Sequence, residues 1–341
     1  MLDFGCQQSF DSMGKKDLMV RGDPKRSETR VAINPPGAWL GARNAILWGK
    51  GKQYHVANFR GPLSIKSVVR GSARWSTNEA ERLVDENCYL VLNSKQSYSI
   101  TIDSLATVET FCLFFRNGLV EDVCRVTESG PTSLLDNPVP GASHALESAA
   151  RADSSTPSLG TSVEFFETLH AHDAVVSPLI QRIYARLKDN TASDLWLEDQ
   201  FLSVAGALCK LRRDADKDAE LIPAKKYSSR MELYRRLLRG KDYMDSFSRT
   251  SVHLGEVAEN ACLSPYHFHR LFREVFRETP NQYLQRKRLA NARRLLERGE
   301  QSVTDVCLEV GFESVTSFSG LFRRNFGCSP REYRLRKNVS R

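Results

Sequence analysis

No stretch of this sequence is apolar for anything close to the ~20 residues that a membrane-spanning helix needs. The opening residues, MLDFGCQQSFDSMGKK, lack the basic start and apolar core of a secretory leader. Both absences point to a soluble, cytoplasmic protein. The eight cysteines (Cys6, Cys88, Cys112, Cys124, Cys209, Cys262, Cys307, Cys328) include no CxxC pair, and several sit in apolar periodic stretches where a thiol acts as a small hydrophobe. Neither a disulfide nor a zinc site is expected. Histidine is scarce, with seven in the chain. The strand-rich region offers only His55, while His144, His170 and His172 fall in later loop and helical segments. The His and Glu cluster of a metal-dependent barrel enzyme is therefore missing, so no catalytic residue, metal or cofactor is assigned.

What the chain does have is length and a lopsided charge. At 341 residues it exceeds one typical domain, and two are expected. From Lys225 to Arg341 there are 24 Lys and Arg against 13 Asp and Glu, a net +11, whereas residues 1–224 carry 25 against 28, a net −3. The basic residues of the last third alternate with apolar helix positions. That pattern suits a folded domain facing a polyanion, nucleic acid above all, better than a disordered tail.

Residues 1–37 are polar and read as a flexible N-terminal arm ending at Asn34-Pro35-Pro36-Gly37. Short apolar or alternating runs follow: Leu63 to Val69, Cys88 to Asn93, Tyr98 to Ile102 and Val108 to Phe115. Turn residues such as Asn58, Gly61-Pro62, Gly71-Ser72 and Asn93-Ser94 punctuate them, which predicts an antiparallel sandwich or barrel able to hold one small ligand. Trp39, Trp48, Tyr54, Trp75, Tyr89 and Tyr98 are its candidate pocket aromatics, with core packing as the alternative role. Residues 127–162, rich in Ser, Pro, Ala and Gly, read as a loop with room for a short helix in its middle. Two amphipathic helices are predicted at Val163 to Leu187, kinked or restarted at Pro178, and at Ser193 to Arg213. They either cover one sheet face or present an apolar stripe to a second subunit. RRDADKDAE and Pro223 read as a linker, which divides the chain into residues 38–222 and 223–341.

The last domain contains an internal repeat. Val257 to Tyr283 reads VAENACLSPYHFHRLFREVFRETPNQY, and Val306 to Tyr333 reads VCLEVGFESVTSFSGLFRRNFGCSPREY. The offset is 49 at Val257/Val306 and becomes 50 at Phe268/Phe318, Phe272/Phe322, Phe276/Phe326, Pro280/Pro330 and Tyr283/Tyr333, so the second copy has one extra residue in its turn. Each copy has a short helix, a compact turn and a second helix. Gly311 suits a positive φ, Ser264 and Ser314 suit N-caps, and Pro265 suits the first helical position, where its missing N–H is not needed. A connecting helix near Arg288 to Arg298 stops at Gly299.

The HFH of the first copy tempts a metal or catalytic reading, but helical geometry argues against it. At ~100° per residue His267 and His269 lie ~200° apart and cannot chelate one ion on one helix. Phe268, Leu271, Phe272, Val275 and Phe276 share the stripe that should bury, whereas Tyr266, His269, Arg270 and Arg273 share an exposed one. Tyrosine, histidine and arginine at the start of such a helix can hydrogen-bond base edges and phosphates in a major groove.

With these residues in view, the last hundred or so positions resemble the DNA-binding domain of the AraC/XylS family of bacterial transcription regulators. The signature-like stretch is VGFESVTSFSGLFRRNFGCSPREYR, Val310 to Arg334, and LSPYHFHRLFRE, Leu263 to Glu274, matches the first unit. The resemblance implies an all-α domain with two helix-turn-helix units whose second helices enter successive major grooves. Base-facing positions then fall on Tyr266, His269 and Arg270, flanked by His267 and Arg273, and in the second unit on Val315, Thr316, Ser317 and Gly320, next to Ser314. Gly320 departs from the family pattern, where arginine is frequent. Arg323, Arg324 and Arg331 are placed for phosphates. For the rest of the chain the resemblance implies a jelly-roll-like β-barrel sensor for an unknown small-molecule effector, a helix pair forming a homodimer, and contact with RNA polymerase as an activator. A repressor, a ligand-independent regulator, or a β-barrel enzyme or small-molecule-binding protein with an accessory nucleic-acid-binding domain are the alternatives.

Overall fold

The computed structural model describes residues 31–78, 80–136, 163–299 and 301–339. The predicted arm up to residue 30 and most of the predicted loop lie outside these residues. The chain divides into two compact units, residues 1–215 and 216–341.

The first unit is built on one eight-stranded sheet: β1 (Val31–Ile33), β2 (Asn44–Arg60), β3 (Ser64–Arg70), β4 (Ser72–Thr77), β5 (Glu81–Asp85), β6 (Cys88–Leu92), β7 (Ser97–Phe114) and β8 (Leu169–Ala171). β2 and β7 pair antiparallel along most of their length, with register shifts at Gly51/Gln53 and Val56/Phe59. The C-terminal half of β7 pairs with β3 and its N-terminal half with β4, so two wings share one strand. The strand path β1–β2–β7–β3–β6–β8 does not return on itself, so the sheet is open where the sequence suggested closure. β1 corrects the arm prediction at its last residues, because Val31 and Ala32 are buried and pair in parallel with Asn44 and Ala45.

Both faces of the central strands are buried. Along β6, Tyr89 and Val91 point into one core while Cys88, Leu90 and Leu92 point into the other, and along β7 Phe111 and Leu113 alternate with Cys112 and Phe114 in the same way. The first core is closed by α1 (Leu119–Asp136), α2 (Ser177–Lys188) and α3 (Asp194–Glu220), through Val120, Ile180, Ile183, Phe201, Val204 and Leu208. The helix pair thus covers a sheet face.

Three local expectations are corrected here. Leu169 belongs to strand β8, and α2 begins only at Ser177, with Pro178 in its first turn. Asp173 starts α2: its Oδ1 accepts the backbone N–H groups of Val175, Val176 and Ser177, while Tyr89 Oη donates to Oδ2 at 2.5 Å. RRDADKDAE is not a linker but the last turns of α3, since nothing in it breaks a helix before Pro223. Finally, a disulfide joins Cys124 of α1 to Cys209 of α3, against the expectation of none. The two cysteines stand 85 residues apart at ordinary apolar positions, so only the packing of the two helices brings them together.

The second unit is all helical: α4 (Tyr227–Ser246), α5 (Leu254–Asn260), α6 (Pro265–Phe276), α7 (Pro280–Arg298), α8 (Val303–Glu309), α9 (Val315–Phe326) and α10 (Pro330–Val339). The repeat in the sequence is a repeat in space. Phe272 meets Tyr283 edge to face at 5.5 Å and 72°, and Phe322 meets Tyr333 at 5.6 Å and 73°. Phe276 leans on Phe272 at 4.6 Å, as Phe326 does on Phe322 at 4.5 Å. Phe268, Phe272, Phe318 and Phe322 are fully buried. Gly240 of α4 makes room for the first cluster, since a β-carbon there would run into the Phe268 ring.

Candidate nucleic-acid interface

The second helices of the two repeats, α6 and α9, start from the same local chemistry. Ser264 Oγ accepts the His267 N–H and Ser314 Oγ accepts the Ser317 N–H, each at 3.3 Å. Pro265 occupies the first position of α6. The turn preceding each helix passes through the left-handed region at the equivalent residue, Cys262 with φ 51° and Gly311 with φ 88°. Only the second position demands glycine by space as well: a β-carbon on Gly311 would stand 2.9 Å from the backbone of Ser248 and Arg249. That same backbone is held from α7 by Arg288, whose Nε donates to the Ser248 carbonyl at 2.7 Å and whose Nη2 donates to that of Thr250 at 2.6 Å.

On α6 one face is buried, through Phe268, Leu271, Phe272 and Val275, and Tyr266, Arg270 and Arg273 on the opposite face are exposed. Tyr266, His269, Arg270 and Arg273 come together along one shallow concave surface, joined by Glu274 and Arg277. Tyr266 is 78% exposed. His267 lies outside this concavity, and the buried Phe268 separates it from His269. No group of three or more potential metal ligands occurs among the described residues.

Glu274 and Arg277 were not singled out from sequence, although they follow Arg270 and Arg273 by four residues, one helical turn. Arg277 ends α6 in the left-handed conformation with φ 59°, turning the chain toward α7. The carboxylate of Glu274 makes the surface mixed in sign, which repels phosphate locally and suits a donor on a base edge.

Fifty residues on, the equivalent stripe of α9 reads Thr316, Ser319, Gly320 and Arg323, with Arg324 at the place of Glu274. Thr316, Ser317, Gly320, Arg323 and Arg324 are exposed, and Ser314, although exposed, is engaged as the cap. Ser319 takes the position of His269, which the constant offset could have revealed. Nothing lies within reach of a β-carbon on Gly320, so this part of the stripe has no side chain to extend. α9 therefore presents short hydroxyls followed by two arginines at its end, while α6 presents an aromatic, an imidazole and a run of arginines.

In the first unit a separate cavity of about 280 Å³ is lined by Trp48, Tyr54, Trp75 and Tyr98 among others. Of the remaining pocket candidates, Trp39 is 43% exposed and Tyr89 lies in the core.

A helix-turn-helix domain model matches residues 257–336, which span both copies of the repeat. The chain is 40% identical over 92 residues to the HTH-type transcriptional activator RhaS of Escherichia coli, a match covering 27% of this chain and 33% of that protein. It thus spans about a third of the length of the curated relatives it matches. Among solved structures, a transcriptional regulator from Chromobacterium violaceum described by its AraC-type DNA-binding domain is 27% identical, covering 30% of this chain and 91% of that chain with a TM-score of 0.29. The DNA-binding domain of AdpA in complex with a target DNA is 31% identical, covering 31% of this chain and 96% of that chain with a TM-score of 0.30.

Proposed function

We propose, from the match of residues 257–336 to a helix-turn-helix domain and from their resemblance to the DNA-binding domain of the AraC/XylS family, that the whole chain is a sequence-specific, ligand-responsive transcription regulator. The observation that carries this reading is the stripe of exposed Tyr266, Arg270 and Arg273 with the half-buried His269, on a helix whose opposite face is locked into an aromatic cluster, in a unit that recurs 50 residues later. α6 and α9 are the two reading helices, entering successive major grooves from one side of the duplex. Arg270 and His269 address base edges. Arg323 and Arg324 sit on phosphates, positioning α9 without specifying sequence. Specificity therefore resides mainly in α6.

The open sheet and its cavity form the sensor, in the place the sequence reserved for a jelly-roll-like barrel, and the chain acts as a homodimer in the cytoplasm. An effector held there shifts the population of DNA-competent forms only if it binds two states with different affinity. The RhaS relatives are named activators, and activation through RNA polymerase is the mode proposed for this chain too.

Selection of fragments bound by the full chain from random DNA tests the reading, with competition at rising salt to separate base readout from phosphate attraction. An enriched motif with two half-sites about one helical turn apart is expected; uniform retention of all fragments would refute it. Transcription from a promoter carrying that motif, with purified polymerase, then distinguishes activation from repression.

A further inference from the structure

Lys66 lies in the middle of β3 and is 1% exposed, one of the largest fully buried side chains in the protein. Its Nζ stands 2.7 Å from Tyr98 Oη, 3.8 Å from the centroid of the Phe114 ring and 4.4 Å from that of Tyr98. It lines the cavity of the first unit together with Phe59, Trp75 and Phe114.

A buried ammonium normally has a carboxylate beside it. Here none does among the described residues: the lysine's only polar partner is the Tyr98 phenol, and the one ionisable neighbour that acts on it is the Cys112 thiol. The titratable groups facing it are Tyr54 from β2 and Cys112 and Tyr98 from β7; Trp75 comes from β4, and Leu90 stands opposite on β6. Burial pushes the Tyr54 phenol up to about 12 and raises Tyr98 and Cys112 as well, so none of them supplies an anion near neutrality. Burial also pulls the Lys66 ammonium down to about 7. The cavity thus holds a cationic group with unused donors, a neighbouring phenol, and walls that are otherwise mostly aromatic and aliphatic.

We infer that this cavity binds a small amphipathic monocarboxylate, with the carboxylate on Lys66 Nζ and Tyr98 Oη and the apolar body against Phe59, Trp75 and Phe114. A polyhydroxylated ligand fits poorly, because few polar side chains line the walls to replace the hydrogen bonds it would lose to water. A carboxylate supplies the counter-charge that the protein withholds, and its apolar remainder matches the aromatic walls. The inference rests on reading the first unit as the sensor, and it gives the effector a chemical class.

The test uses the full chain and two matched probe sets: butanoate, octanoate, dodecanoate and benzoate, and the primary amide of each. Saturable binding is followed by calorimetry and by quenching of tryptophan emission, since Trp48 and Trp75 line the cavity. At least one acid is expected to bind about tenfold or more tightly than its amide, a preference that Lys66→Met erases and Tyr98→Phe reduces. Lys66→Met replaces a buried charge with an apolar chain of similar length, so a folding defect is not its expected effect, and unliganded melting checks this. Amides binding as well as acids, an acid preference that survives Lys66→Met, or no saturable binding by any acid would overturn the inference. The better probe of the two kinds, chain or ring, identifies the shape of the apolar body. DNA binding measured on the same samples separates the two readings: loss of a DNA motif with acid binding intact removes the regulator reading alone, and the converse removes only the ligand class.

Discussion

Tyr283 donates its hydroxyl to Oδ1 of Asp245 at 2.7 Å, tying α7 to α4 through a carboxylate whose side chain is 1% exposed. The same carboxylate receives Lys241 at 3.1 Å and Lys287 at 2.5 Å. Burial pushes the Asp245 carboxyl up, but the two ammonium groups and the phenol outweigh it and hold it at about 2. Asp245→Ala removes the carboxylate that the mostly covered Lys241 and Lys287 share and is expected to destabilise the second unit by about 3 kcal/mol, read as an earlier urea transition in circular dichroism. The pH dependence has a definite sign. Because the folded carboxyl titrates below the unfolded one, near 3.9, its stabilisation is complete above that value and fades as pH falls toward about 2. The acid-unfolding profile of Asp245→Asn should lack that component.

Arg270 and Arg324 should fail in different ways. If Arg270 meets a base, Arg270→Ala costs about 1 to 3 kcal/mol on the preferred site and relaxes one position of the motif. Arg324→Ala should weaken all sequences alike and lower the salt dependence of binding. Equal losses on specific and random DNA for both variants would contradict the division of labour between α6 and α9.

Two glycines make an internal control for one another. Gly311→Ala introduces a side chain at φ 88° and 2.9 Å from backbone that Arg288 already grips, and should cost about 1 to 3 kcal/mol of stability. Gly320→Ala meets open space inside α9 and should instead gain about 1 kcal/mol, as a helix-interior glycine to alanine change does. Thermal melts of the two variants in parallel settle both signs.

The buried lysine sets its own pH trend. Its ammonium is held at about 7 in the folded chain, below its unfolded value near 10.4, so the unfolded state carries the extra proton between these limits. Its unfavourable contribution is therefore full below about 7 and declines as pH rises to about 10.4, and the first unit should gain stability over that window in the wild type but not in Lys66→Met. Carboxylate affinity should run the opposite way, falling above about pH 7 as the ammonium is lost.

Much of the second unit was legible because its information is local and stated twice. Ser264, Pro265, Gly299, Gly311 and Ser314 act within a few residues of themselves, and the aromatic spacing defines a buried face whether or not the neighbours are known. The first unit was less legible because its determinants are distant. The apolar runs at Tyr98 to Ile102 and Val108 to Phe115 are one strand, β7, and its partner β2 is full of glycine, lysine and glutamine that mask a strand pattern. Leu169 and Val176 fit a helical spacing, yet Leu169 joins β8 because β6 has an open edge to offer. Lys66 was invisible as a candidate, since in sequence it is one polar residue among apolar neighbours, the ordinary sign of a solvent-facing position. Cys124 and Cys209 carry no motif, and only folding makes them a pair.

The matched clusters of Phe272 with Tyr283 and Phe322 with Tyr333 separate foundation from address. In each repeat the residues that hold the helix lie on one face and the outward side chains lie on the other. The outward positions can drift after duplication while the inward ones keep both copies folding alike. α6 and α9 differ on their outward faces in that way, one rich in side-chain chemistry and the other sparse. An operator for this protein should then be lopsided, with one half-site tightly constrained and the other tolerant, and new targets would be acquired by rewriting four or five outward side chains.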